Sequence, residues 1–258
     1  MKRNLLSISL SLLLLLSLSS CTEPPSVTAG LTEESDTQAT VSSVILKQTE
    51  DRGQEYLDRF IFFGESTTYH LKNRGVLSGG TDTKQVWGPD NGTVNLDTAI
   101  RSLRIRYPET GEYLTVGEAL RRKKPAYLLL CFGLNGAVQK VRQGEAYYKD
   151  CYRLLLDEVR AASPDTKILL QACYPVSANM DMSRYTCTVD ELNGYIRTIN
   201  GWTLELAEEY GIRYLDTAAL LADSDGFLRS EYQNGDGHHL TTAAYEAVLH
   251  YIRTHGYQ

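Results

Sequence analysis

"AYLLLCF", Ala126 to Phe132, holds no charge, no glycine and no proline. A strand with one wet face would alternate apolar and polar residues; this run does not, so it reads as a strand buried on both faces, as in a parallel sheet. Runs of similar character lie on either side of it. Upstream are "YLDRFIFF" (Tyr56 to Phe63) and the short "KQVW" (Lys84 to Trp87); downstream are "KILLQAC" (Lys167 to Cys173) and "IRYLD" (Ile212 to Asp216). Between them apolar residues recur at helical spacing. Tyr148, Tyr152, Leu155 and Val159 form one stripe, Leu192, Ile196, Ile199, Thr203 and Leu206 a second, and Ala244, Val248, Tyr251 and Ile252 a third. Strands alternating with helices predict an α/β protein whose parallel sheet is covered on both faces. In such sheets the functional site lies beyond the carboxyl ends of the strands.

The 258 residues carry a net charge of −6, with 42% hydrophobic and 22% charged residues. That length is enough for one sizeable core plus a leader. The balance does not favour nucleic acid as a partner, and no basic stripe or nucleic-acid motif is present. The densest basic run, "RRKK" at Arg121 to Lys124, precedes Pro125 and reads as the last turn of a helix beginning near Thr115.

The N-terminus reads as a leader rather than as fold. Lys2 and Arg3 precede the apolar and serine-rich core "LLSISLSLLLLLSLSS", which has signal-peptide length. Leu18-Ser19-Ser20-Cys21 resembles the bacterial lipoprotein cleavage box, which implies a signal peptide over 1–20, lipidation of Cys21 and an extracytoplasmic protein anchored to the bacterial cell membrane. Residues 21–54, rich in Ser, Thr, Glu and Pro, are expected to be a disordered tether, and 55–258 the folded domain. Cys131 and Cys151 fall in apolar patterns and read as core thiols. Cys173 and Cys187 flank a loop-like segment, and either a disulfide or two free thiols fits them. No zinc-ligand pattern or cofactor motif is evident, so neither metal nor cofactor is expected.

The residues just beyond the strands are more telling. Gly64-Glu65-Ser66 comes after the first. "FGLNGA" (Phe132 to Ala137) comes after the third, and "NGDGHHLTT" (Asn234 to Thr242) precedes the last helix. Ser66 alone fits a helix cap better than a nucleophile, since a serine hydroxyl needs a base to remove its proton. His239 can supply that base, and Asp236, three residues earlier, can hold its ring in the right tautomer. Either Thr241 or Thr242 can cap the helix after this loop. Asn135 can donate an amide hydrogen bond to an oxyanion, and Gly133 permits close approach. His70, His250 and His255 read as surface or packing residues.

In their order and placement these blocks resemble the SGNH hydrolases, also called GDSL-type esterases and lipases: "FFGESTT" with Ser66, a glycine after the second strand, "GLNG" with Asn135, and "DGHHLT" with Asp236 and His239. The resemblance implies a three-layer α/β/α sandwich with a five-stranded parallel sheet. It implies Ser66 as nucleophile, His239 as base and Asp236 as the residue that orients it. The oxyanion hole would use the N–H of Ser66, the Asn135 side chain and a glycine N–H, for which Gly92 is favoured over Gly88. Glu65 departs from the aspartate usual at that position, where the family uses the carboxylate to brace the turn; the extra methylene could crowd the pocket.

Among the family's substrates, an acetylated glycan fits the extracytoplasmic setting, the 17 tyrosines and the polar segment "YPVSANMDMSRYTCTVDE" after the fourth strand. The sequence therefore predicts a surface serine esterase that removes O-acetyl or similar groups from carbohydrate. An acyltransferase to a glycan, a lysophospholipase or thioesterase, and a non-catalytic glycan-binding protein are the alternatives.

Overall fold

The structure, a computed structural model, describes residues 42–258. The expected signal peptide, lipidated Cys21 and most of the tether lie outside the described residues. The strands are β1 (Phe60–Gly64), β2 (Val86–Trp87), β3 (Ile105–Arg106), β4 (Tyr113–Leu114), β5 (Tyr127–Cys131), β6 (Lys167–Gln171) and β7 (Arg213–Leu215). The helices are α1 (Gly53–Leu57), α2 (Ser66–Asn73), α3 (Leu96–Ala99), α4 (Val116–Lys123), α5 (Ala137–Gln143), α6 (Glu145–Ala162), α7 (Val189–Tyr210), α8 (Thr217–Leu221) and α9 (Thr242–Thr254).

Five strands form one sheet in the order β2-β1-β5-β6-β7, every pairing parallel; β3 and β4 make a separate antiparallel pair. Helices flank the sheet, α6 packing against α4 and α7 while α9 packs against α1 and α8. Every residue of β1 and β5 is buried, which is why neither alternates. From β1 the chain moves to one edge, then returns to the other side at β5. The carboxyl ends of β1 and β5 thus form the topological switch point where such sheets bind ligands. The pairing Gly64↔Cys131 brings those ends level.

The helical stripes of the sequence are buried in α6, α7 and α9, except Tyr251, which is half-buried. The basic run ends α4 as expected. Thr115 caps its start in a reciprocal capping box with Glu118, and Lys124 takes the left-handed conformation that stops it (φ 46°).

Two expectations are corrected, and the choice left open for Cys173 and Cys187 is resolved. "YLDRFIFF" is not strand throughout: Tyr56 and Leu57 bury themselves on the short α1, Asp58 closes it, and the strand starts at Phe60. The tether ends earlier than residue 54. Val44 and Leu46 are 8% and 4% exposed, and they exchange backbone hydrogen bonds with Tyr214 (Tyr214 N to Val44 O, and Leu46 N to Tyr214 O, both 2.9 Å). Three consecutive apolar residues, Val44 to Leu46, extend the β7 edge, a signal that the polar composition around them hides. Cys173 and Cys187 are both free, the first buried and the second half-buried, so they form no disulfide. Cys131 and Cys151 are buried free thiols, as the apolar patterns predict.

Candidate active site

Ser66 sits where β1 turns directly into α2. A side chain on Gly64 would collide with the Cys131 carbonyl and the Thr68 hydroxyl, so only glycine lets the strand end against its neighbour. Glu65 is the extended residue before the helix and makes no side-chain cap, and Ser66 is the first helical residue. Its hydroxyl is not a cap. Ser66 Oγ lies 3.1 Å from His239 Nε2, and its N–H is one of those a helix start leaves without an intrahelical partner.

His239 is delivered by the loop before α9. A bridge between Gln233 and Leu240 closes the base of this loop, and the Asn234 N–H donates to the His239 carbonyl at 3.0 Å. Within the loop, Asp236 Oδ1 accepts the N–H groups of His238 (3.0 Å) and His239 (2.8 Å), while Oδ2 lies 2.7 Å from His239 Nδ1. One carboxylate thus shapes its own turn and orients the ring. Burial alone would raise the Asp236 pKa. The bonds from the His239 and His238 N–H groups, and from the His239 ring, outweigh that and hold the carboxyl at about 2. His238 does not compete for Ser66; its Nδ1 faces the Asp236 carbonyl at 3.4 Å. Thr241 caps α9 by accepting the Ala244 N–H, and the buried Tyr245 hydroxyl donates to the Thr67 carbonyl at 2.6 Å. That last bond ties the histidine-bearing segment to the serine-bearing helix.

The third wall is the segment after β5. Gly133 has φ 142°, and a side chain there would come within 2.5 Å of Ile199 Cγ2. Asn135 Nδ2 donates one hydrogen to the Val94 carbonyl at 3.0 Å, and an amide nitrogen carries two, which leaves one for an oxyanion. Gly92 does not fill the expected third place: its N–H donates to the Pro89 carbonyl at 2.9 Å and closes a turn. Gly88 lines a hollow with Lys72, Asp82 and Arg106, and Asn135 is not part of its wall. Together the parts can deprotonate a hydroxyl, hold the resulting imidazolium and stabilise a tetrahedral oxyanion.

Residues 62–247 match the GDSL-like lipase/acylhydrolase family. The chain belongs to that family. It is accordingly an ester-hydrolysing serine hydrolase of the GDSL type. No protein of curated function matches the chain. Among solved structures, it is similar to a protein from Streptococcus pneumonia provisionally assigned as a platelet activating factor (18% identity, TM-score 0.52, covering 84% of this chain and 85% of that one). It is also similar to a provisionally assigned SGNH hydrolase from Slackia heliotrinireducens (17% identity, TM-score 0.51, covering 76% of this chain and 98% of that one). At these identities the likeness is one of fold.

Glu65, the departure from the GDSL aspartate, turns its carboxyl to the segment after β5. It is 2% exposed, and its two oxygens accept the N–H groups of Gly133 (3.1 Å) and Asn135 (2.7 Å). The extra methylene thus reaches across to the neighbouring strand end and braces the segment that carries Asn135. Lys140, buried on α5, bonds the Asn135 carbonyl from the other side. Sequence reasoning missed Lys140 because a lysine in a polar helical stretch ordinarily faces water. His70, read from the sequence as a surface or packing residue, does pack: its ring stacks on that of His239 at 4.6 Å. His70 lies four residues after Ser66, and that helical spacing places it on the same face of α2. Asp236, His238 and His239 are also close enough together to hold a metal ion among the described residues, but both ring nitrogens of His239 are already engaged by Asp236 and Ser66.

Burial pushes the Glu65 carboxyl up from 4.5 to about 7, against the pull of the Lys140 charge and the bonds from Asn135 and Gly133. The folded protein therefore holds this proton more tightly than the unfolded chain. The stability it contributes is complete below pH 4.5 and is lost as pH rises through about 7. The loss amounts to roughly 3 kcal/mol. Glu65→Gln cannot titrate. Denaturant unfolding at pH 4.5 and at a pH above 7 should show wild type losing stability relative to this variant; a difference that stays constant across the window would contradict this account of Glu65.

Proposed function

We propose that this chain is a serine esterase that removes O-acetyl or comparably small acyl groups from carbohydrate, outside the cytoplasm and anchored through Cys21. The observation that carries the catalytic reading is the line from Asp236 Oδ2 to His239 Nδ1 (2.7 Å) and from His239 Nε2 to Ser66 Oγ (3.1 Å). Ser66 Oγ attacks the ester carbonyl carbon while His239 Nε2 takes the hydroxyl proton and Asp236 stabilises the imidazolium. The Ser66 N–H and the free Asn135 amide hydrogen bind the oxyanion. Collapse breaks the bond from the acyl carbon to the sugar oxygen, which takes the proton from His239 and departs as a hydroxyl, leaving the acyl group on Ser66. Water then repeats the sequence, and the carboxylic acid departs.

Support for a small acyl group and a polar leaving group comes from the surroundings. The hollow between Asn135 and His238, about 240 Å³ in volume, includes Gln139, Arg184 and Thr186 in its wall. Support for the anchor is the resemblance around Cys21 to the lipoprotein box. The test compares O-acetylated sugars with short- and long-chain aryl esters, on cell fractions of the full chain and of Cys21→Ser. The acetyl esters should be cleaved at least about tenfold faster, as kcat/KM, than long-chain esters. The activity should sit in the membrane fraction and move to the soluble fraction in Cys21→Ser. Preference for long acyl chains would overturn the substrate reading, and an unchanged fractionation would overturn the anchor.

A further inference from the structure

The residues around Asn135 belong to two hollows rather than one. The first, about 240 Å³, runs from Asn135 to His238, with Arg184 and Tyr185 in its wall and Met180 and Leu192 beneath. The second, about 280 Å³, is walled by Asn95, Asp97, Gln143 and Tyr147. Asn135, Gly136 and Gln139 line both, so a molecule reaching from one to the other passes over the residue that faces the oxyanion. Each hollow is smaller than the roughly 300–1,000 Å³ of a site that encloses a whole drug-sized ligand. Two small hollows in series suit a chain of small polar units.

The chemistry of the walls fits such a chain. Each hollow has one tyrosine: Tyr185, 41% exposed, and Tyr147, half-buried. A tyrosine presents a flat apolar face with a polar rim, which matches the apolar face and hydroxyl edge of a pyranose. Gln139, Gln143 and Asn95 carry amides that both donate and accept, as ring hydroxyls do, and Arg184 adds a fork of donors. A lipid chain would need a continuous apolar channel, and the second hollow, with Asp97, Asn95 and Gln143 in its wall, offers none.

We propose that the two hollows are adjacent sugar subsites, so that the substrate is an acylated oligosaccharide or polysaccharide lying across Asn135 rather than a single acylated sugar. This rests on the esterase reading, and it deepens that reading by naming a polymer. It assigns Tyr185 and Tyr147 as specificity-determining residues, one for each subsite.

The test uses O-acetylated xylose and O-acetylated xylotetraose as probes of defined length. Wild-type kcat/KM should be about tenfold or more higher on the tetramer, with most of the difference in KM. Tyr185→Ala and Tyr147→Ala should each pull the tetramer-to-monomer ratio toward one, and Tyr185→Phe, which keeps the ring face, should restore it. Equal rates on monomer and tetramer, or variants that lower both equally, would overturn the proposal. A second readout does not depend on turnover. Calorimetric titration of Ser66→Ala with the acetylated tetramer should show binding that Ser66→Ala/Tyr185→Ala weakens about tenfold. Absence of binding would overturn the subsites. Should wild type cleave no ester while Ser66→Ala still binds the tetramer, the esterase reading fails and the subsites stand.

Discussion

Ser66→Ala should lower kcat for ester hydrolysis by about a millionfold, to the level left by substrate binding and the oxyanion donors alone. The size of the effect comes from the work of the hydroxyl. In the proposed mechanism it forms the new bond to the acyl carbon, and among the described residues no other side chain takes its place 3.1 Å from His239 Nε2. The fold should be indifferent to the change. The ties that set this corner are the Tyr245 hydroxyl on the Thr67 carbonyl and the Glu65 carboxylate on Gly133 and Asn135, and none of them passes through Ser66 Oγ. Substrate affinity and the denaturant midpoint should therefore stay close to wild type while turnover disappears. Turnover surviving at even a tenth of the wild-type rate would remove Ser66 from the chemistry.

Asp236→Asn should cost about ten-thousandfold in kcat. In this loop Asp236 Oδ1 accepts two backbone N–H groups and Oδ2 faces the Nδ1 of the ring. An asparagine would keep its oxygen on the backbone donors and turn its NH2 toward Nδ1. That nitrogen must then accept, so the ring proton moves to Nε2, where it cannot receive the Ser66 proton. The loop is preserved and the tautomer is wrong. Asp236 itself stays ionised through the working range, since its carboxyl is held at about 2, below the ordinary 3.8. Its contribution to stability is present above 3.8 and is lost only as pH falls through about 2. Mild acidification therefore leaves the Asp236 carboxylate charged. Because the members of such a unit act together, Ser66→Ala/Asp236→Asn should be no slower than Ser66→Ala alone. A double variant that is slower by a further ten-thousandfold would show that the two act independently.

Much of this arrangement was legible in the chain itself. The uninterrupted apolar run at Ala126 to Phe132 announced a strand buried on both faces, and the stripes of α6, α7 and α9 announced the helices that bury it. Ser66 could be placed after the first strand, and Asp236 and His239 in the loop before the last helix, because chemistry at the carboxyl ends of a parallel sheet is concentrated in a few loop residues. The features that stayed hidden depend on contacts between distant segments. Nothing local to Glu65 says that its carboxylate reaches the N–H groups of Gly133 and Asn135, 68 and 70 positions away. Nothing in "NGTVNL" says that the Gly92 N–H is taken up by the Pro89 carbonyl, which is what separates a glycine in a turn from a glycine in an oxyanion hole. Val44 to Leu46 were lost in the polar composition of their neighbours, because their partner, Tyr214, is far away in the sequence. For His70 the packing partner, though not the packing itself, stayed hidden, and the four-residue step from Ser66 is the local signal that points to it.

The role of Ser66 as nucleophile is tested most directly by labelling the folded chain with a fluorophosphonate and mapping the adduct by mass spectrometry. Activation by His239 and Asp236 predicts a single adduct on the peptide that carries Ser66, absent in Ser66→Ala and much slower to form in Asp236→Asn. A folded wild-type chain that takes up no label, or that takes it up at another residue, would contradict it.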